Sequence, residues 1–94
     1  MMREAQVESK LAKEVEKRGG ICYKFVSPSN PGVPDRIVIT PEGRVIFVEI
    51  KATFGRMSNI QKWQRGRMLD HCVDVRVLHG VDQVKEFIRE VFTA

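Results

Sequence analysis

Two β-branched, apolar runs dominate the middle of this chain. They are Arg36 to Thr40 and Val45 to Lys51, separated by Pro41-Glu42-Gly43. A short turn segment with a glycine suited to positive φ predicts a tight hairpin, so the two strands are expected to be neighbours. Side chains alternate across a strand, which puts Val45, Phe47, Glu49 and Lys51 on one face. Charges on an otherwise apolar strand face are costly unless something pairs or binds them. Asp35 stands just before the first run, and the hairpin brings it and Glu49 onto adjacent strands. A divalent cation held by Asp35 and Glu49, with Lys51 beside it, accounts for all three charges. Ordinary explanations compete with this one. Pro34-Asp35 suits a turn, and Glu49 with Lys51 suits an edge strand that carries protective charges.

The rest of the sequence frames that hairpin. Residues 3–18 read as an amphipathic helix, with Val7, Leu11 and Val15 at four-residue spacing and Gly19-Gly20 as its stop. On the helical wheel Glu8 falls on the inward side, as a third acid near the ion or as a boundary carboxylate paired with a lysine or arginine. Residues 21–26 predict a short strand and residues 27–32 a loop. After a basic, glycine-containing loop at 52–57, Ser58-Asn59-Ile60-Gln61 has the form of a capping box opening a helix to about His71. Residues 74–78 predict a fourth strand and 81–91 a last helix, with Val84, Phe87, Ile88 and Val91 inward. The order αβββαβα implies an α/β fold in which a mixed sheet is flanked by helices.

At 94 residues, with 43% hydrophobic content, the chain is expected to form one domain over residues 1–94. A domain of this size is marginally stable alone, so dimerisation is expected. The net charge of +4 is compatible with a polyanionic partner. The two cysteines, Cys22 and Cys72, form no metal-binding or disulfide pattern and read as small buried apolar residues. No apolar run approaches the length of a membrane span, and the charged beginning of the chain lacks a signal-peptide core. The expected location is the cytoplasm, that of a bacterium or of a host cell if the chain is phage-encoded, with no membrane partner.

Phosphodiester hydrolysis needs a charge clamp on the phosphate, an activated water and help for the leaving oxygen. Mg²⁺ suits this chemistry and takes oxygen ligands, and a nearby lysine can orient the water or neutralise the phosphate. Gln61 combines a capping position with a place beside the site, where a helix N-terminus favours anions. Lys24, Arg36, Lys51, Arg56, Lys62, Arg65 and Arg67 are candidate phosphate contacts, and the Phe54-Gly55-Arg56 loop is the expected DNA-facing element. Trp63 reads as a core anchor in preference to a base-stacking platform.

Glu8, Gly32-Val33-Pro34-Asp35, Glu49-Ile50-Lys51 and Gln61, in that order, resemble the PD-(D/E)xK nuclease superfamily. Within it the chain is similar to a stand-alone, phage-type virus-type replication-repair nuclease domain (VRR-NUC). The resemblance spans nearly the whole chain. It implies a Mg²⁺- or Mn²⁺-dependent DNA endonuclease that needs no small-molecule cofactor. Asp35, Glu49 and the Ile50 carbonyl would be metal ligands, Lys51 would position or activate water, and Glu8 and Gln61 would complete the site. It further implies a homodimer acting on branched DNA, with four-way (Holliday) junctions as the expected substrate. A less structure-selective nuclease and a non-catalytic nucleic-acid-binding module retaining the fold are the alternatives.

Overall fold

The computed structural model describes residues 2–92. Its elements are α1 (Glu4–Lys17), β1 (Ile21–Lys24), β2 (Arg36–Ile39), β3 (Val45–Lys51), α2 (Asn59–Asp70), β4 (Val75–His79) and α3 (Gly80–Val91). This is the αβββαβα order expected from the sequence. The four strands form one sheet in the order β1-β2-β3-β4. The first two pairings are antiparallel and β3–β4 is parallel. The parallel pair requires a crossover, and α2 supplies it.

The pleat sorts the strands into two unlike faces. On one, Val38, Ile46, Val48, Ile50 and Leu78 meet Val7, Leu11 and Val15 of α1 and Val84, Phe87, Ile88 and Val91 of α3. This is the hydrophobic core, and the helical spacing of those residues is what makes α1 and α3 lie flat on the sheet. Gly19, at φ 80°, ends α1. The Gly20 N–H donates to the Val15 carbonyl and the Gly19 N–H to the Glu16 carbonyl, the two bonds of a Schellman stop.

The other face carries Ile21, Tyr23, Ile37, Ile39, Val45 and Phe47 in matching register. Helix α2 reaches this face at its Glu49 end, through Gln61. Farther along, Ile21, Tyr23 and Val45 remain 43%, 56% and 50% exposed.

Three sequence expectations change. The first strand stops at Lys24, although the Phe25 N–H still donates to the Asp35 carbonyl at 2.8 Å; Val26 is already solvent-facing. Cys72 is exposed, in a positive-φ turn just beyond α2, and Cys22 is half-buried. Trp63 is not a core anchor, since it is 54% exposed on α2, whose one buried residue is Gln64. No helix among the described residues is long and apolar enough to cross a membrane.

Candidate active site

The hairpin sets the site. The β2–β3 register pairs Arg36 with Val48. Continued one residue toward the loop, that register places Asp35 opposite Glu49 on the face away from the core, and the charge of Asp35 acts on Glu49. Side chains directly opposite on antiparallel strands have Cβ atoms about 5 Å apart, and like charges there repel. Both carboxylates respond. Asp35 is raised above the ordinary aspartate range, by burial first and then by the charge of Glu8. Glu49, only 5% exposed, is raised to about 7, by burial first and then by Asp35, with Lys51 pulling the other way. The Oδ1 of Asp35 is buried without a hydrogen-bond partner.

Lys51 follows on the same face of β3, its Nζ 3.9 Å from Glu49 Oε2. Gln61 reaches Glu49 from α2, with Nε2 donating to Oε2 at 3.3 Å. The same side chain closes the capping box. Its Oε1 accepts from the Ser58 N–H at 2.9 Å, while the Gln61 N–H donates to Ser58 Oγ at 3.3 Å. Capping and contact with the site therefore coincide in one residue, and the cap fixes the amide that faces Glu49.

Glu8 lies inward, as its place on the wheel implied, and two cations hold it. Arg36 Nε is 3.0 Å and Lys24 Nζ 3.4 Å from its Oε1. This is the paired-carboxylate arrangement among the two weighed for Glu8, yet its charge still raises both Asp35 and Glu49. Arg36 is accordingly turned toward Glu8 with a 16% exposed side chain, whereas Lys24 is 63% exposed. Arg56, Lys62 and Arg65 face solvent around the start of α2. Ile50 sends its side chain into the core, leaving its backbone between Glu49 and Lys51.

One contributor had no clear signal in the sequence, and a second, named there only as part of a motif, has a role that the structure supplies. Gln64, 9% exposed, donates from Nε2 to the Pro31 carbonyl at 3.1 Å. This ties α2 to the loop that delivers Asp35. Its one trace in the sequence is a spacing of one helical turn from Gln61. Gly32 acts by lacking a side chain. It has φ 87°, and a Cβ there would lie 2.8 Å from the Ile60 backbone. Glycine thus lets the Gly-Val-Pro-Asp loop press against the first turn of α2.

The donor set fits a hard divalent cation. It consists of carboxylate oxygens, one of them buried and unpartnered, on two groups whose proton affinity burial raises. Among the described residues no three His, Cys, Asp or Glu side chains are grouped to hold a metal ion. Glu8, held by Arg36 and Lys24, is thus not grouped with Asp35 and Glu49 as a third ligand, contrary to the expectation from the sequence.

No protein-family model matches the sequence. A phage protein named "Putative nuclease p44", from Acyrthosiphon pisum secondary endosymbiont phage 1, is 44% identical over 82 residues, 87% of this chain and 88% of that protein. A solved structure of a VRR_NUC domain superposes with a TM-score of 0.88 at 26% identity, over 98% of this chain and 100% of that one. Likeness in sequence to a nuclease and in fold to a VRR_NUC domain, each over nearly full length, agrees with the ordered Gly32-Val33-Pro34-Asp35, Glu49-Ile50-Lys51 and Gln61 pattern: the chain belongs to the VRR-NUC family, as a nuclease domain of the phage type.

Proposed function

We propose that this nuclease is a divalent-metal-dependent, structure-specific DNA endonuclease that works as a homodimer on four-way junctions in the cytosol. The observation that carries the proposal is the pair of opposed carboxylates, Asp35 and Glu49, with Lys51 on the same strand face. Asp35 and Glu49 would hold Mg²⁺ or Mn²⁺, with the Ile50 carbonyl as a further donor and Glu8 behind them. The cation, when bound, supplies charge neutralisation at the scissile phosphate and acidifies the attacking water. Lys51 positions that water and holds or passes its proton. Gln61 keeps the Glu49 carboxylate in one orientation. The N-terminus of α2 adds a favourable field for the phosphate. Lys24, Arg56, Lys62 and Arg65 supply the sequence-independent hold on the DNA backbone, whereas Arg36 is engaged by Glu8.

The open sheet face supports the dimer. Ile21, Tyr23 and Val45 form an exposed apolar patch of the kind that marks association surfaces. A two-fold pair of sites suits the paired cuts of a two-fold symmetric junction.

The test is incubation with a four-way junction, a flap and a plain duplex, in Mg²⁺ and in Mn²⁺. Junction cleavage that is lost in folded Asp35→Ala, Glu49→Ala and Lys51→Ala variants is the expected result. Equal rates on all three substrates would refute structure specificity. Salt-sensitive binding without cleavage in both metals would mark a non-catalytic module.

A further inference from the structure

We propose that the cavity beside Trp63 is a nucleobase pocket, which takes a base unstacked at a branch point or in a single strand of the DNA; this rests on the DNA-cleaving function above. The cavity measures about 290 Å³, and Trp63, Arg67, Met68, Val33, Asn30 and His71 line it. That volume is at the lower end for ligand sites, of the size for one heterocycle and far too small for a duplex.

Trp63 is the one tryptophan of the chain. It is 54% exposed, with the Arg67 guanidinium carbon 5.0 Å from its ring centroid. Leaving more than half an indole in water forfeits the largest apolar burial any side chain offers. An indole and a guanidinium plane are the two surfaces on which proteins stack unpaired bases. The walls can also read a base edge. The Asn30 amide nitrogen donates to Ser27 and Pro28, and the Gln64 amide nitrogen to Pro31; their oxygens carry no protein hydrogen bond among the described residues. His71 uses Nδ1 against the Arg67 carbonyl, which leaves Nε2 toward solvent or ligand. Among the described residues no carboxylate lines the cavity, and Lys62, Arg65 and Arg67 are all exposed on the same helix.

Its place is as telling as its lining. Gln64 also borders the cavity, one helical turn beyond Gln61, which touches Glu49. The opposite wall contains Val33, two residues before Asp35. The pocket and the acid-lined site thus draw on the same two segments, α2 and the loop before Asp35. A base seated there holds its own strand next to Asp35 and Glu49. Only a strand with an unstacked base can be held this way, because extracting a base from an intact duplex costs a few kcal/mol. The pocket thus gives a small domain a means of preferring branched over plain DNA.

Because Trp63 is the sole tryptophan, its fluorescence reports the pocket directly. The experiment titrates the protein in EDTA with a four-way junction, a single-stranded oligonucleotide and a blunt duplex of equal length. Expected are saturable quenching by the first two, weak quenching by the duplex, and, by anisotropy of a dye-labelled junction because the variants have no tryptophan, a roughly 5- to 150-fold loss of junction affinity in Trp63→Ala. Trp63→Phe should recover most of that affinity, and unchanged melting of both variants shows that the fold is kept. Equal quenching by all three DNAs overturns the proposal. So does undiminished junction affinity in Trp63→Ala. A blue shift with rising protein concentration and no DNA, blocking later quenching, assigns the pocket to a second copy of the chain and overturns it too. The two proposals fail separately. Metal-dependent cleavage without any quenching refutes the pocket alone, and quenching without cleavage refutes the nuclease function alone.

Discussion

Replacing Glu49 with glutamine should stabilise the metal-free protein at alkaline pH while abolishing its cleavage. Glu49 is 5% exposed and its proton affinity is raised from 4.5 to about 7. A carboxyl group whose folded-state pKa lies above its unfolded one leaves stability intact below pH 4.5. It then costs stability as pH rises through 7. At about 1.4 kcal/mol per pH unit, the interval corresponds to about 3 kcal/mol lost by pH 8. Glutamine is nearly isosteric and can still accept from Gln61, but Lys51 loses its counter-charge, so the expected net gain is about 1–3 kcal/mol. For a domain of this size that raises Tm by about 5–20 °C. The assay is thermal unfolding of wild type and Glu49→Gln, in EDTA, at pH 4 and pH 8. The variant should melt higher than wild type at pH 8 and within a few degrees of it at pH 4. Added Mg²⁺ should raise the wild-type Tm at pH 8 and leave that of the variant unmoved. A variant less stable than wild type at pH 8, or a difference independent of pH, would refute the claim that unrelieved charge at Glu49 strains the fold.

Other substitutions separate the parts of the site. Gly32→Ala forces a Cβ to within 2.8 Å of the Ile60 backbone at a positive φ, so it should cost about 1–3 kcal/mol in chemical denaturation and depress cleavage further than its stability loss predicts. Ser58→Ala removes the cap alone and should cost about 1 kcal/mol, with cleavage of folded protein little changed. Gln61→Ala removes the cap and the Glu49 contact, so cleavage rates should fall well below those of Ser58→Ala at equal stability. Tyr23→Lys places a charge on the open sheet face, and light scattering should show a shift toward monomer with an unchanged circular dichroism spectrum.

How far the sequence reveals this molecule differs from element to element. Helices α1 and α3 were legible because their apolar residues recur at helical spacing and all of them enter the core. The hairpin was legible because glycine in its turn and β-branched residues in both arms agree. Helix α2 could be located by its capping box, but not oriented. Of its large apolar residues, Ile60, Trp63 and Leu69 are more than 40% exposed and Met68 is half-buried, while a glutamine is its buried residue. A rule that sends tryptophan inward and glutamine outward fails where helix contacts are polar. For the site, Asp35, Glu49 and Lys51 were legible because charge on an apolar strand is conspicuous. The link from Gln64 to Pro31 was not, because a side-chain bond to a distant carbonyl leaves no local pattern.

Helix α2 is also where the design of the site becomes intelligible. Its partners α1 and α3 are fixed by close-packed apolar side chains, which resist displacement. By contrast, α2 is attached by the Ser58 cap, Gln61 on Glu49, Gln64 on Pro31 and the close approach at Gly32. The cap is internal to the start of the helix, and the other three run to β3 or to the Asp35 loop, the two segments that bear the acids. The position of the helix and the placing of the carboxylates are therefore set by the same few bonds. A segment held mainly by hydrogen bonds, with its apolar residues partly in water, opens more readily than the core elements. The rigid layer thus carries Glu49 and Lys51 on a strand backed by the core, and the looser layer carries Gln61 and the basic surface. Displacing the looser layer would leave undisturbed the sheet that holds the acids.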